Sequence, residues 1–306
     1  MNRGEYLDLL GEKTALHRMI AETPEEDVID RASLSARLRS VEATLIHAKP
    51  DEREPARVRL TFKGRPVIGS HGIFAEFGMK AVNGFTESVA AMAASLSAPL
   101  AAMGPIPNRD QHQLLITSTA LGSFGFELEE HRAAQLTLND GSAIAQALDR
   151  TQSLLRGTLG TDDELADSAA EADRRALDKV RAFLETLADY EAVCTVQFGD
   201  SVVSFSDVGQ VRTSIERLSQ DNLREETEEL RGELQGVLPK ARAFEFKLRG
   251  TAQIIRGKIA STIADPDALN QALHQPGTIK VIVTRVGSGR PRYVLTEVLR
   301  GGALSP

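Results

Sequence analysis

Aromatic side chains are scarce in this chain. Its 306 residues include no Trp, three Tyr and eleven Phe, so surfaces for stacking are few. There is a single cysteine, which excludes a disulfide framework and a cysteine-built zinc site. Cys194 lies in the alternating run "AVCTVQF" and reads as a small buried hydrophobe. No apolar run reaches membrane length. The longest bland stretch, Ser88 to Gly104, is mostly alanine and is interrupted by Pro99, too short and too weakly apolar to span a bilayer. The opening "MNRGEYLDLL" carries acidic residues and only a short apolar stretch, unlike a secretory signal. These absences lead to the expectation of a cytoplasmic protein without a membrane role.

What is present is an ordinary soluble composition, 42% hydrophobic and 26% charged, long enough for two or three domains. The net charge of −7 is unevenly spread. Arg231 to Pro306 holds twelve Lys/Arg and five Asp/Glu, while the remainder holds 24 basic and 38 acidic residues. Such asymmetry points to a polyanion-binding module, or to electrostatic docking within the molecule.

The hydrophobic pattern divides the chain into three parts. Residues 1–48 read as a helical hairpin. Tyr6, Leu9, Leu10, Leu16, Met19 and Ile20 share one face, and Leu34, Leu38, Val41 and Leu45 follow at helical spacing behind the cap Ser33. Such a hairpin must bury its stripe within its own domain or on another subunit, so a homo-oligomer through these helices is one expectation. Residues 56–222 read as a central α+β region of three hairpin-then-helix units. The first turns about Gly64, the second about Gly122 and Ser123 before leading through Asp140 into "SAIAQALDRTQSLL", and the third about Gly199-Asp200. Between the second and third, "TDDE" at Thr161–Glu164 is a capping box opening a long helix, 162–189. The acidic run "NLREETEELRG" reads as a short solvated helix.

Residues 231–300 alternate differently. Three short strands, a helix with Asp265 as cap and Pro266 at its first position, and two further strands give the order β-β-β-α-β-β. That is the order of a small five-stranded OB-type barrel, though other small five-stranded barrels share it, since strand order alone does not fix closure.

Few residues carry recognisable chemistry. "GTAQIIRGK" lacks the spacing and the hydroxyl of a phosphate-cradling loop. Ser70 and Ser123 lack the G-x-S-x-G elbow of a nucleophile. The six histidines, His17, His47, His71, His112, His131 and His274, are scattered singly, so no metal site and no cofactor is expected. Glu245 and Lys247 form an E-x-K strand of the kind used by metal-dependent nucleases. Asp221, the nearest upstream aspartate, stands in the wrong context to complete it. The alternative is a barrel strand with paired opposite charges on its outward face.

The strongest signal is cationic. "TRVGSGRPRYVL", Thr284 to Leu295, sets Arg285, Arg290, Arg292 and Tyr293 around a glycine-rich loop. Lys247, Arg249, Arg256 and Lys258 lie on the preceding strands and extend this to a basic stripe. These eight residues are the candidate anion or nucleic-acid contacts. The reading is a non-enzymatic binding or adaptor protein whose basic barrel engages RNA or single-stranded DNA. A second reading is an assembly component, for example of a bacterial multi-gene or defence system, docking an acidic protein surface or its own acidic half. Nuclease activity at Glu245 and Lys247 is a third.

Overall fold

The computed structural model describes residues 3–24, 26–47, 55–120, 124–131, 142–251 and 253–299. The chain divides into two compact units, one holding the N-terminal helices and a larger one running from Arg57. The fold is mixed α+β, with a five-stranded sheet at its C-terminal end.

In the first unit α1 (Arg3–Glu22) and α2 (Val28–His47) form the expected hairpin. Leu16 and Val41 are buried between them. Arg37 holds Glu12 through two hydrogen bonds of 2.6 and 3.0 Å, and Lys13 pairs with Glu42 at 2.9 Å. Met19, Val28, Ile29 and Ile46 remain exposed in this unit, Ile29 at 85%.

The second unit opens with β1 (Arg57–Gly64), followed by β2 (Val67–Ile68), β3 (Gly72–Ile73) and α3 (Ala75–Ser95). A 3₁₀ turn at Arg109–His112 leads to β4 (Leu114–Thr119) and β5 (Phe124–Glu130). Next come α4 (Ala143–Leu159), α5 (Asp162–Ala169), α6 (Arg174–Asp189), β6 (Ala192–Phe198), β7 (Ser201–Ser204) and α7 (Val208–Arg217). The strands make an antiparallel sheet in the order β4-β5-β1-β6-β7. Alternation in β1 decides its two faces. Val58, Leu60 and Phe62 are buried with Leu128, Cys194 and Val196, and Phe62 meets Phe77 of α3 edge-on at 5.3 Å. On the other face Arg57 pairs with Glu129 and Arg59 with Glu127, directly across the ladder.

Two of the three expected hairpins are present, β4–β5 and β6–β7. Gly122, Ser123 and Asp140 lie outside the described residues. The first hairpin is not formed. β1 pairs with β5 and β6 and takes the centre of the sheet, while β2 pairs only with β3. Six register pairs on one side and seven on the other outweigh a local turn, and Pro66 has no N–H with which to extend a hairpin ladder.

The expected helix 162–189 is two helices. Spacing of three and four along it picks out Leu165, Ala169, Ala172, Ala176, Val180, Phe183 and Leu187, of which all but the half-buried Ala172 are interior. The Asp173 carboxylate, however, accepts hydrogen bonds from the Arg175 N–H at 2.8 Å and from the Leu100 N–H at 3.0 Å. It starts a new helix and breaks the old one.

The C-terminal sheet comprises β8 (Leu223–Leu238), β9 (Ala243–Leu248), β10 (Ile254–Ile259), β11 (Pro276–Val286) and β12 (Arg292–Leu299), with a 3₁₀ turn at Pro266–Ala272 where an α-helix was expected. Asp265 caps that turn as the sequence indicated. Leu234, Phe244, Phe246, Ile255, Ile259, Ile279, Val281, Val283 and Leu295 form its core. The acidic run expected to be helical is the first half of β8, because eleven register pairs with β11 draw it into the sheet. Residues 223–299 therefore hold twelve basic and nine acidic side chains, a far smaller excess than the stretch from Arg231 alone.

Phe246→Ala, emptying the centre of this core, is expected to cost about 3–5 kcal/mol in urea unfolding. Thr161→Ala, which removes the capping box of α5, is expected to cost about 1 kcal/mol in the same measurement.

Candidate anion-binding face

Strands β9 and β10 pair antiparallel, with Phe246 opposite Ile255 and Glu245 opposite Arg256. Phe244, Phe246, Ile255 and Ile259 point inward, so alternation turns Glu245, Lys247, Arg256 and Lys258 outward. Lys247, Arg249, Arg256 and Lys258 are all exposed. The Arg256 guanidinium donates to Glu245 at 2.8 Å, and Lys258 stands 3.8 Å from Glu171. Among the described residues neither Lys247 nor Arg249 has an ion-pair partner within 4 Å. The nearby Arg242 is used structurally, donating to the carbonyls of Ile259 and Ile263 at 3.2 and 2.8 Å.

The E-x-K pair thus sits as opposite charges on an outward face, with Glu245 taken by Arg256 rather than by Lys247. Among the described residues no group of three or more His, Cys, Asp or Glu side chains is arranged to hold a metal ion. None of the described helices is long and apolar enough to cross a membrane.

The other four candidates lie elsewhere. "TRVGSGRPRYVL" is the hairpin joining β11 to β12, and it is docked rather than free. Arg285 pairs with Glu228 of β8 at 3.5 Å. Backbone N–H groups of Ser288 and Arg290 donate to Asp162 at 3.3 Å and Asp163 at 3.0 Å. Arg292 forks onto Asp167 through Nε and Nη2 and approaches Asp163 at 3.3 Å. Hydrogen bonding to Asp167, against some desolvation, pushes the Arg292 pKa up. Tyr293 packs partly buried against the core of the C-terminal sheet. Phe244 and Phe246 are interior, so neither offers a stacking surface.

The sequence had drawn attention to "TDDE" only as a cap. The cap is real: the Thr161 hydroxyl accepts from the Glu164 N–H at 3.3 Å, and the Glu164 carboxylate accepts from the Thr161 N–H at 2.6 Å. Bonding to Thr161 holds the Glu164 carboxyl below its ordinary range. The two aspartates between them are the partners of a loop more than a hundred residues downstream. Arg217 of α7 holds Asp162 from behind at 3.0 Å and donates to the Thr158 carbonyl at 2.7 Å. No spacing signal links these residues, so sequence alone could not assemble them.

Two further features lie in the second unit. Thr86, Glu87, Asn108, Arg109, His112 and Gln113 line much of an open cleft of about 570 Å³ beside α3. There the Glu87 carboxylate, only 16% exposed, pairs with Arg109 and with Lys179 at 3.2 Å. Burial pushes the His112 pKa down, and its Nδ1 is buried with no partner among the described residues. The other feature is Glu225 on β8, whose carboxyl is pushed up by burial, with Arg174 opposing and Asp173 and Asp178 reinforcing.

No protein family, curated protein or solved structure matches this chain. Its reading therefore rests on the geometry.

A carboxyl raised in the folded state binds its proton more tightly there than in the unfolded chain. Its ionisation therefore opposes folding once the pH passes the unfolded value of about 4.3. Glu225→Gln is expected to raise the melting temperature at pH 7. Thermal melts should show that gain shrinking as the pH falls, and vanishing below about pH 4.

Proposed function

We propose that this chain is a non-enzymatic binding protein whose C-terminal sheet takes RNA or single-stranded DNA by the phosphate backbone. The observation that carries the reading is the row of exposed cations on β9, β10 and the turn between them, Lys247, Arg249, Arg256 and Lys258, two of them without a carboxylate partner among the described residues. Numbered within the sheet, the strand order runs 1-2-3-5-4, with strand 5 parallel to strand 3 and strand 4 returning to strand 1. We read this order as an OB-type barrel, and in such barrels the face of strands 2 and 3 carries oligonucleotides. Those two strands are β9 and β10.

Interior placement of Phe244 and Phe246 favours contact with phosphates over stacking with bases. Such binding is tolerant of sequence and steep in salt. A cytoplasmic setting goes with this reading.

A second reading, an assembly component that docks acidic protein surfaces, is favoured by one observation. Arg292 and its loop already bind carboxylates, those of Asp162, Asp163 and Asp167. Exposed apolar residues on the helical hairpin, Ile29 and Ile46 among them, suit self-association in the same reading.

Fluorescence anisotropy with labelled single-stranded RNA and DNA, titrated over salt, separates the two. Lys247→Ala/Arg249→Ala in the full chain is expected to weaken binding roughly tenfold at low salt. It should also make the slope of log K against log salt shallower by about 1.4, or about 0.7 for each phosphate no longer neutralised. No salt-dependent binding by the unaltered chain would sink the nucleic-acid reading and turn the search to acidic protein partners.

A further inference from the structure

The β11–β12 loop is equipped as an anion site, and its occupant is the chain itself. Two backbone N–H groups, of Ser288 and Arg290, and the planar fork of Arg292 converge on the carboxylates of Asp162, Asp163 and Asp167. This donor set, closely spaced loop amides plus a bidentate guanidinium, also suits phosphate. We infer that the loop is a phosphate-binding site held shut by α5, whose aspartates stand in for the phosphates of a bound strand. The nucleic-acid ligand rests on the reading of β9 and β10 given above; the anion chemistry of the loop does not.

Position supports the exchange. β12 runs parallel beside β10, with Tyr293 opposite Gly257 and Val294 opposite Lys258. Arg292 therefore continues the row begun by Arg256 and Lys258, and a strand lying across β9 and β10 would reach the loop next.

The docked loop is also open to water. Asp163 is 48% exposed and Asp167 66%, against 24% for Arg292. Ion pairs at such exposure are weak and screened by salt, so a polyanion can compete for them.

The two partners differ in how firmly they are held. α5 is anchored, with Leu165, Ala166 and Ala169 fully buried and Arg217 fixing Asp162. The loop is the side able to leave. Gly287 has φ +48°, and a Cβ there would lie 2.6 Å from the Asp162 carboxylate; one at Gly289 would lie 3.1 Å from the Asp162 side chain and 3.0 Å from the Val286 carbonyl. The close seat on α5 thus depends on both glycines, which also widen the conformations open to a released loop.

The test compares four forms of the full chain by anisotropy with labelled single-stranded RNA: unaltered, Asp163→Asn/Asp167→Asn, Arg290→Ala/Arg292→Ala, and all four changes together. Neutralising the aspartates is expected to tighten binding on the order of tenfold at low salt. It should also steepen the salt slope by about 0.7 for each additional phosphate engaged. Adding the arginine changes should abolish that gain, because the Arg292 guanidinium is the group set free and Arg290 stands exposed beside it. A gain that survives them reflects only lower overall negative charge and overturns the inference.

Gly289→Ala loosens the seat without changing charge, so it should bind RNA more tightly as well. A lower melting temperature with no gain in binding would make the docked loop a structural clamp and overturn the inference. Titrating Asp163→Asn/Asp167→Asn with inorganic tripolyphosphate, followed by the Ser288 and Arg290 amide resonances, tests the loop without RNA. Saturable shifts support the site even where RNA does not bind, which would be a failure of the nucleic-acid reading alone. Absent shifts overturn the site even where RNA binds to β9 and β10.

Discussion

The eleven-residue ladder between β8 and β11 is the constraint on which the C-terminal half depends. It pulls the glutamate-rich start of β8 out of the helix its composition favours. It also seats Glu228 beside Arg285 and places β9 and β12 on the outer sides of the pair. Once that pair is set, β10 has one position left, antiparallel to β9 and parallel to β12. Most of the ladder's partners are about fifty residues apart in sequence, so loop closure must precede any reward from pairing. Assembly of this sheet is accordingly expected to be slower than that of the helical parts.

The same ladder redistributes charge. Counted along the chain, the C-terminal segment looks strongly basic; counted by strand, it is two-sided. Glu225, Glu226, Glu228 and Glu229 sit on β8 against β11, while Lys247, Arg256 and Lys258 belong to β9 and β10 and Arg249 to the turn after β9. Alternation sends Glu226 and Glu228 to one face of β8 and Glu225 and Glu229 to the other, so the acidic groups follow the β8–β11 pair and the cations the β9–β10 pair. Approach is therefore directed by orientation more than by net charge.

How much was legible follows from how local each signal is. The helical hairpin, the "TDDE" cap, the Gly199-Asp200 turn and the five C-terminal strands were all readable, because a cap or a period of 2 or 3.6 lies within a few residues. The alternation of Phe244 and Phe246 was enough to set the outward side of β9. Three features were not readable, each for a non-local reason. The run "LREETEEL" is a strand because of a partner about fifty residues away, whose pairing overrides local propensity. Arg57–Gly64 is central because both its edges are taken by later strands. The long helix breaks because Asp173 also satisfies the Leu100 N–H from another segment. At the candidate site the residue types were found, but their grouping was not. The sequence gathered eight residues into one stripe, whereas four lie exposed on β9, β10 and the turn after β9, and the rest belong to the β11–β12 hairpin.

Cys194, the only thiol, stands in the middle of β6 at 1% exposure, and burial pushes its pKa far up. It is neither reachable by nor reactive toward ordinary alkylating reagents in the folded state. The natural chain is thus a blank background for site-directed chemistry. A cysteine introduced at an exposed position such as Ser288 would be the single labelling point, and a dye or spin label attached there would report loop movement with the native cysteine left in place.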